Sequence, residues 1–451
     1  MHGDFSNVTF RSHKQFTGVF ELQGRVGLDA PHNELQAILQ HHLRQAVMDL
    51  VGPAAGPADS TGFRIDLGEP GDLTIGAGRY YVGGLAVTNP EPTTYLDQPV
   101  LGRWYPSDQR PQLPPRPYLV YLHVWERHVT ELEDPSLHEP ALGLNHPDSS
   151  SRAQVWWRVG AVHVPPEMAE ADRDAWIGHW LDEARRPGGQ LQVRARRPED
   201  ADTDPCTAPP DAAYVGENQL YRVEILRGTG AEGGPAFVWS RDNGSFTYGI
   251  LDADGATLTL RSLGRDRYAA VHEGDWVEVV DDAVSRRPTL SALGDGRVLS
   301  RITGLDRHRN RVTLDPPPPF DVASRLDLHP YLRRWDLPAV PDDEVPPEAR
   351  FGVPVLEADP GGTSGWIPLE RGIEIRFLRA DTAAGAPEHR YRADDYWNFT
   401  ARRILADVVY DNPGGAPSGV DRWFAPLAVV AADGAFTRMR QLFTRSTTRE
   451  S

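Results

Sequence analysis

One cysteine, Cys206, stands in a chain of 451 residues. A lone thiol excludes an intrachain disulfide and a zinc site built on cysteines, so nothing here requires an oxidising compartment. Long apolar runs are missing as well: no stretch approaches roughly eighteen uninterrupted apolar residues. The N-terminus also lacks a basic segment followed by an apolar one. Both absences point to a chain with no membrane span, made and kept in the cytosol until a particle, released or membrane-associated, or a lysis event carries it elsewhere. A basic excess is missing too, since 64 Asp and Glu outnumber 47 Lys and Arg for a net charge of −17. Affinity for a phosphate backbone comes from cations that release counterions, so nucleic acid is not an expected partner. The best basic run, Arg194 to Arg197, is followed at once by Glu199, Asp200, Asp202 and Asp204, as in a solvated loop.

What is abundant is turn chemistry: 42 Gly and 40 Pro against few long helical patterns favour short strands and many turns. The expected class is mainly β, a multi-domain set of β-sandwich and small β-barrel units with one or two amphipathic helices. A helix is predicted over 31–51, where Leu35, Ile38, Leu39, Leu43, Val47 and Leu50 recur at helical spacing between Pro31 and Gly52-Pro53. A second helix is predicted over 172–186. The apolar run from Tyr118 to Trp125 reads as a central strand, with 154–162 as its neighbour. Six short strand candidates, at 220–226, 236–240, 257–260, 276–280, 299–303 and 311–314, are expected to build a compact barrel. Pro316 to Pro319 and the segment 338–348 read as stiff connectors around Trp335. The linear partition is an N-terminal β-rich domain over 1–186, a linker over 187–212, a barrel-like domain over 213–330, and a C-terminal β-rich unit over 331–451 that packs back on the first.

The candidate chemistry is thin. Gly228 to Gly233 matches Gly-x-Gly-x-x-Gly after a strand, but Gly234-Pro235 leads into another strand and not into the helix a pyrophosphate needs. A hairpin loop is expected there. His123, Glu126, His128, Glu131, Glu133, Asp134, His138, Glu139, His146 and Asp148 crowd one segment, yet no helical His pair seeds a hydrolytic metal site. His123 and Trp125 share one strand face and Glu126 takes the other. No Gly-x-Ser-x-Gly elbow appears. Two facing carboxylates of a glycoside hydrolase stay open as a reading among so many acidic residues, and Trp156-Trp157 fits a core-plus-surface pair as well as a sugar groove. The block Trp239 to Ser245 centres on Asp242-Asn243-Gly244, strong turn chemistry. Beside it, Trp239 and Arg241 either pin the turn or stack a sugar or peptide. No catalytic residue, metal ligand, cofactor or cofactor-binding residue is assigned.

The opening residues carry the most specific signal. Gly3, Asp4, Phe5, Ser6, Gly18, Val19, Gln23, Gly24, Arg25, Val26, Leu28, Asp29, Ala30, Asn33 and Glu34 resemble the signature of an uncharacterised bacterial domain family associated with phage-tail-like particles and contractile injection systems. Pro31-His32 depart from it, where Asp-Trp is more usual. Further blocks at 118–127, 133–135, 139–143, 237–245, 366–372, 395–397 and 424–428 extend the resemblance over nearly the whole chain. It implies a structural or adaptor component of such a particle, acting by protein–protein contacts within a symmetric assembly. Arg25, Asp29, Asn33, Glu34, Trp239, Arg241 and Asn243 are the expected partner or framework contacts. Other particle proteins are the expected partners. The alternative is a carbohydrate-binding or glycan-cleaving accessory with a cell-surface glycan as partner, and a free-standing enzyme ranks third. Residues 3–34 are expected to be an ordered element, with Phe5, Phe10, Phe16, Phe20 and Leu28 buried against the following helix.

Overall fold

The computed structural model describes residues 2–6, 9–99, 101, 110–143, 149–186, 188–197, 212–231, 233–286, 297–337, 351–380, 389–412 and 414–444. Cys206, His146, Asp148, the acidic run after Arg197 and the connector at 338–348 lie outside them. The protein is mainly β. Its chain divides into two compact units that interleave in sequence, one of 1–7, 128–152 and 187–420, the other of 8–127, 153–186 and 421–451.

The second of these units is built on three sheets. One holds Leu442–Phe443, Ala54–Pro57, Gly78–Val82 and Leu85–Asn89 in that order; a smaller one holds Ile65–Leu67, Leu73–Ile75 and Thr93–Thr94. The third runs Phe436–Arg438, Arg422–Val430, Tyr118–Val129, Arg152–His163. Strand Tyr118–Val129 is thus interior, as its apolar run predicts, and its partner Arg422–Val430 comes from the other end of the chain. Apolar residues alternate inward along Leu85–Asn89 and join Phe63, Tyr80, Val120, Leu122, Trp157 and Leu427 in one core. Gly83 and Gly84 turn the hairpin with φ of +58° and +78°, and a Cβ on Gly84 would stand 2.5 Å from the Arg44 carbonyl oxygen of the helix. Only glycine fits that approach.

The helix predicted at 31–51 runs Asp29–Val51 and stops at Gly52, whose N–H still donates to the Met48 carbonyl. Ile38 is buried, and Arg44 pairs with Glu126. Leu39, Leu43 and Leu50 are exposed. The second helix, Arg173–Arg185, sets Ile177 against Leu119, Val164 and Val429.

The first unit combines a sandwich and a barrel. Its five-stranded sheet runs Val353–Pro354, Ala236–Arg241, Gln219–Arg227, Tyr396–Arg402, Asp407–Val409. A second sheet centres on Ile373–Leu378. Tyr221, Val223, Ile225, Phe237, Trp397 and Phe399 of the first share a core with Leu191, Ile373, Ile375 and Phe377 of the second. The closed barrel follows the order Thr247–Asp254, Thr257–Leu260, Arg311–Asp315, Leu299–Asp306, Trp276–Val280, Tyr331–Trp335, around Ile250, Leu258, Val277, Ile302, Val312 and Leu332.

Four of the six expected barrel strands are in the barrel, and two are not. Gln219–Arg227 and Ala236–Arg241 pair as a hairpin in the sandwich, because both of their faces carry groups that must be covered. Thr247–Asp254 and Tyr331–Trp335 take their places. The first has Gly249 in its middle and weak alternation, so closure of the barrel, not propensity, makes it a strand. Part of the expected linker is ordered as well: Leu191–Ala195 pairs antiparallel with Ile373–Leu378, using Leu191 and Val193 on one face.

Candidate functional site

Strand Gln219–Arg227 alternates Tyr221, Val223 and Ile225 toward the sandwich core, so Arg222 and Glu224 share the opposite face. That face is covered too: Arg222 is 1% exposed and Glu224 is fully buried. A charge in such a place must be paired. Glu224 accepts from Arg222 Nε at 2.6 Å, from Arg297 Nη1 at 2.8 Å and from His2 Nε2 at 2.7 Å. Arg297 in turn makes a bidentate pair with Glu278, at 2.6 and 2.8 Å, and reaches Asp394 at 2.7 Å. Trp335 Nε1 donates to the same Glu278 at 3.2 Å. Burial opposes ionisation of Glu224, but His2, Arg222 and Arg297 outweigh it and hold its carboxyl well below the usual range. Burial, helped by the charges of Arg222 and Arg333, keeps the His2 imidazole well below its ordinary value, against the pull of Glu224. Its neutral ring therefore donates Nε2–H to the carboxylate, while 22% of its side-chain surface still meets solvent.

The Asp242-Asn243-Gly244 turn completes the site. All three residues have positive φ, at 50°, 57° and 67°. Asn243 is buried, and its Oδ1 accepts from Arg222 Nη1 at 3.1 Å and from Asn398 Nδ2 at 2.9 Å. Its Nδ2 donates to the Gly3 carbonyl at 3.1 Å, and the Gly3 N–H returns a bond to the Asn243 carbonyl at 3.2 Å. A side chain on Gly244 would be strained at φ +67°, and its Cβ would stand 2.8 Å from His2 Cδ2, so the ring would have to shift. Phe5 closes the segment edge-on against His128, with ring centroids 5.3 Å apart. The first residues of the chain are thus fastened into a buried lattice of charges and amides. A carboxylate shared by two guanidiniums is fixed as an anion and is poorly placed to move protons. The lattice orders the segment.

Trp239 and Arg241 sit on the neighbouring strand. Trp239 is buried beside Tyr221 at 6.2 Å and has no face open to stack a ligand. Arg241 pairs with Glu370 at 2.7 Å through Nε and again through Nη2, and its N–H donates to Asp336 at 2.8 Å. Burial opposes the charge on Glu370, yet Arg241 and the Tyr221 hydroxyl, at 2.7 Å, pull its carboxyl down. Burial pushes Asp336 up.

The other expected contacts fall in the other compact unit. Arg25 is exposed at a turn whose N–H reaches the Leu22 carbonyl at 3.3 Å. Asp29 opens the helix, favourably placed at its positive end. Asn33 is exposed, and Glu34 accepts from the Thr9 hydroxyl at 2.5 Å. Of the five apolar residues expected to be buried against the helix, none is buried: Phe5 is half-buried and meets His128 instead. Along the strap over 9–28 that precedes the helix, Phe10 is half-buried beside His41 at 5.3 Å, but Phe16, Phe20, Leu22, Val26 and Leu28 are exposed.

His123 lies in an aromatic stack, 4.5 Å from Phe424 and 4.7 Å from Trp125, and among the described residues no three His, Cys, Asp or Glu converge as a metal would need. Sequence reasoning missed His2, Arg222, Glu224, Glu278, Arg297 and Asp394. The pair Arg222-x-Glu224 inside an otherwise apolar strand was a readable sign of a buried ion pair; Arg297 has no comparable local sign. Among the described residues no helix is long and apolar enough to cross a membrane. The model of DUF6519, a family of unknown function, matches residues 1–172 and 184–435. Neither a curated protein nor a solved structure matches the chain.

Proposed function

Because the chain belongs to DUF6519, a family that brings no known activity with it, we propose its role from its own residues: a structural or adaptor component of a phage-tail-like particle or contractile injection system, working by protein–protein contacts. One observation carries the reading. The N-terminal segment that carries the signature is anchored through His2 and Gly3 and then presents exposed apolar groups, Phe16, Phe20, Leu22, Val26 and Leu28. Rigid sheets and a closed barrel give such a part fixed faces, and a net charge of −17 keeps the free subunit dispersed before it docks. On this reading the chain is made in the cytosol and leaves it within a particle. The glycan alternative gains nothing from Trp239, whose ring packs against Tyr221.

A tagged full-length chain expressed in its native host tests this. It should sediment with tail-like particles and stay with them through a salt wash. A chain that is found wholly in the soluble fraction of cells full of particles contradicts the proposal.

A further inference from the structure

The strap and the helix after it expose an apolar surface on one compact unit. Thr9 to Glu34, the Phe10–His41 contact and His42 to the Phe16 carbonyl at 3.3 Å tie the strap's first half to the helix. Beyond Phe16 the chain doubles back at Gly24, φ +72°, and carries Phe20 at 90% and Val26 at 85% exposure. On the helix, Leu39, Leu43, Ala46 and Leu50 follow a four-three-four spacing, the stripe by which helices pack on a partner. All four are exposed, Leu50 at 84%.

With Phe16, Leu22 and Leu28, also exposed, these side chains offer on the order of 800 Å² of apolar surface, comparable to the roughly 800 Å² per partner of a standard interface. Soluble monomers seldom leave that much uncovered. Charge selects the occupant. Residues 9–51 hold Arg11, Lys14, Arg25 and Arg44 against Glu21, Asp29, Glu34 and Asp49, so 4 − 4 = 0, while the whole chain carries −17. Two copies of an acidic chain repel least where each is neutral. The surface also comes in two halves, an extended strap and a helical stripe, and each is the complement the other needs. In a twofold contact, strap meets stripe twice.

We propose that this surface is covered by a second copy of the chain, the strap over 16–28 of each copy lying on the Leu39, Leu43 and Leu50 stripe of the other, an inference that rests on the assembly reading. Light scattering on the full chain, from on the order of 1 to 100 µM, should show a dimer. The pairs Phe20→Ser with Val26→Ser, and Leu39→Ser with Leu43→Ser, should each weaken it at least about tenfold. Both pairs change exposed positions, so the melting temperature should stay within about 2 °C. In a Cys206→Ser background, a Phe20→Cys chain mixed with a Leu43→Cys chain should form an interchain disulfide on mild oxidation. A chain that stays monomeric, a dimer indifferent to both pairs, or a Phe20→Cys, Leu43→Cys double variant that links only within itself overturns the proposal. A wild-type monomer that still sediments with particles sinks the self-contact and leaves the assembly reading standing. A strap-dependent dimer that sediments with none does the reverse.

Discussion

Arg297 is the residue on which the buried lattice turns. It holds Glu278 with two bonds and reaches Glu224 and Asp394 with a third nitrogen. Its guanidinium is desolvated, but those carboxylates hold its proton more tightly than water would. Arg297→Met keeps much of the volume and removes the charge, leaving carboxylates buried without it, which costs about 3–5 kcal/mol. The sign with pH follows. Arg297 helps hold the Glu224 carboxyl below its unfolded value of 4.5, so the stability it lends is full above that pH and is lost as pH falls through it toward the depressed folded value. Thermal melts of both proteins should show the gap in melting temperature full from pH 7 to about pH 5 and narrowing as pH falls below about 4.5. A gap that is absent at pH 7, or constant with pH, would show that the lattice does not depend on this charge.

At the scale of the element, the segment His2 to Ser6 behaves as a latch. Its ring has a lower pKa docked than free, and the free value is 6.5. Protons therefore favour the undocked form: docking is fully favourable above that pH and weakens as pH falls below it. The amide of Gly3, bonded to the Asn243 carbonyl, reports this directly. Its hydrogen-exchange protection, corrected for intrinsic rate, should drop from about pH 7.5 to about pH 5.5, and His2→Ala should abolish it at both. Undiminished protection in acid contradicts the latch. Little of this element was legible in the sequence, because its partners lie more than two hundred residues away. The elements that were legible had local patterns. The helix at Asp29–Val51 has its periodicity and the Gly52 stop, and the hairpin Gln219–Arg227 to Ala236–Arg241 has its Gly-rich loop. Thr247–Asp254 was lost because barrel closure, with Thr247 opposite Arg333, overrides a weak strand signal. Alternating apolar residues on the strap read as buried, since a pattern records apolarity and not what covers it.

At the scale of the whole molecule, two interleaved units draw strands from distant parts of the chain, so that Arg422–Val430 completes a sheet begun at Tyr118. Within that unit the closure fixes the sheet from both ends of the chain, and under the proposed role such fixed faces would carry the repeated contacts of an assembly. The measurement that tests this most directly is deletion of the gene in the native host, followed by counting and activity assay of its tail-like particles. Particles should be absent, incomplete or inactive, the wild-type gene should restore them, and a gene with Arg25 or Asp29 replaced should restore fewer. Particles of normal number, form and activity in the deletion strain would contradict the account.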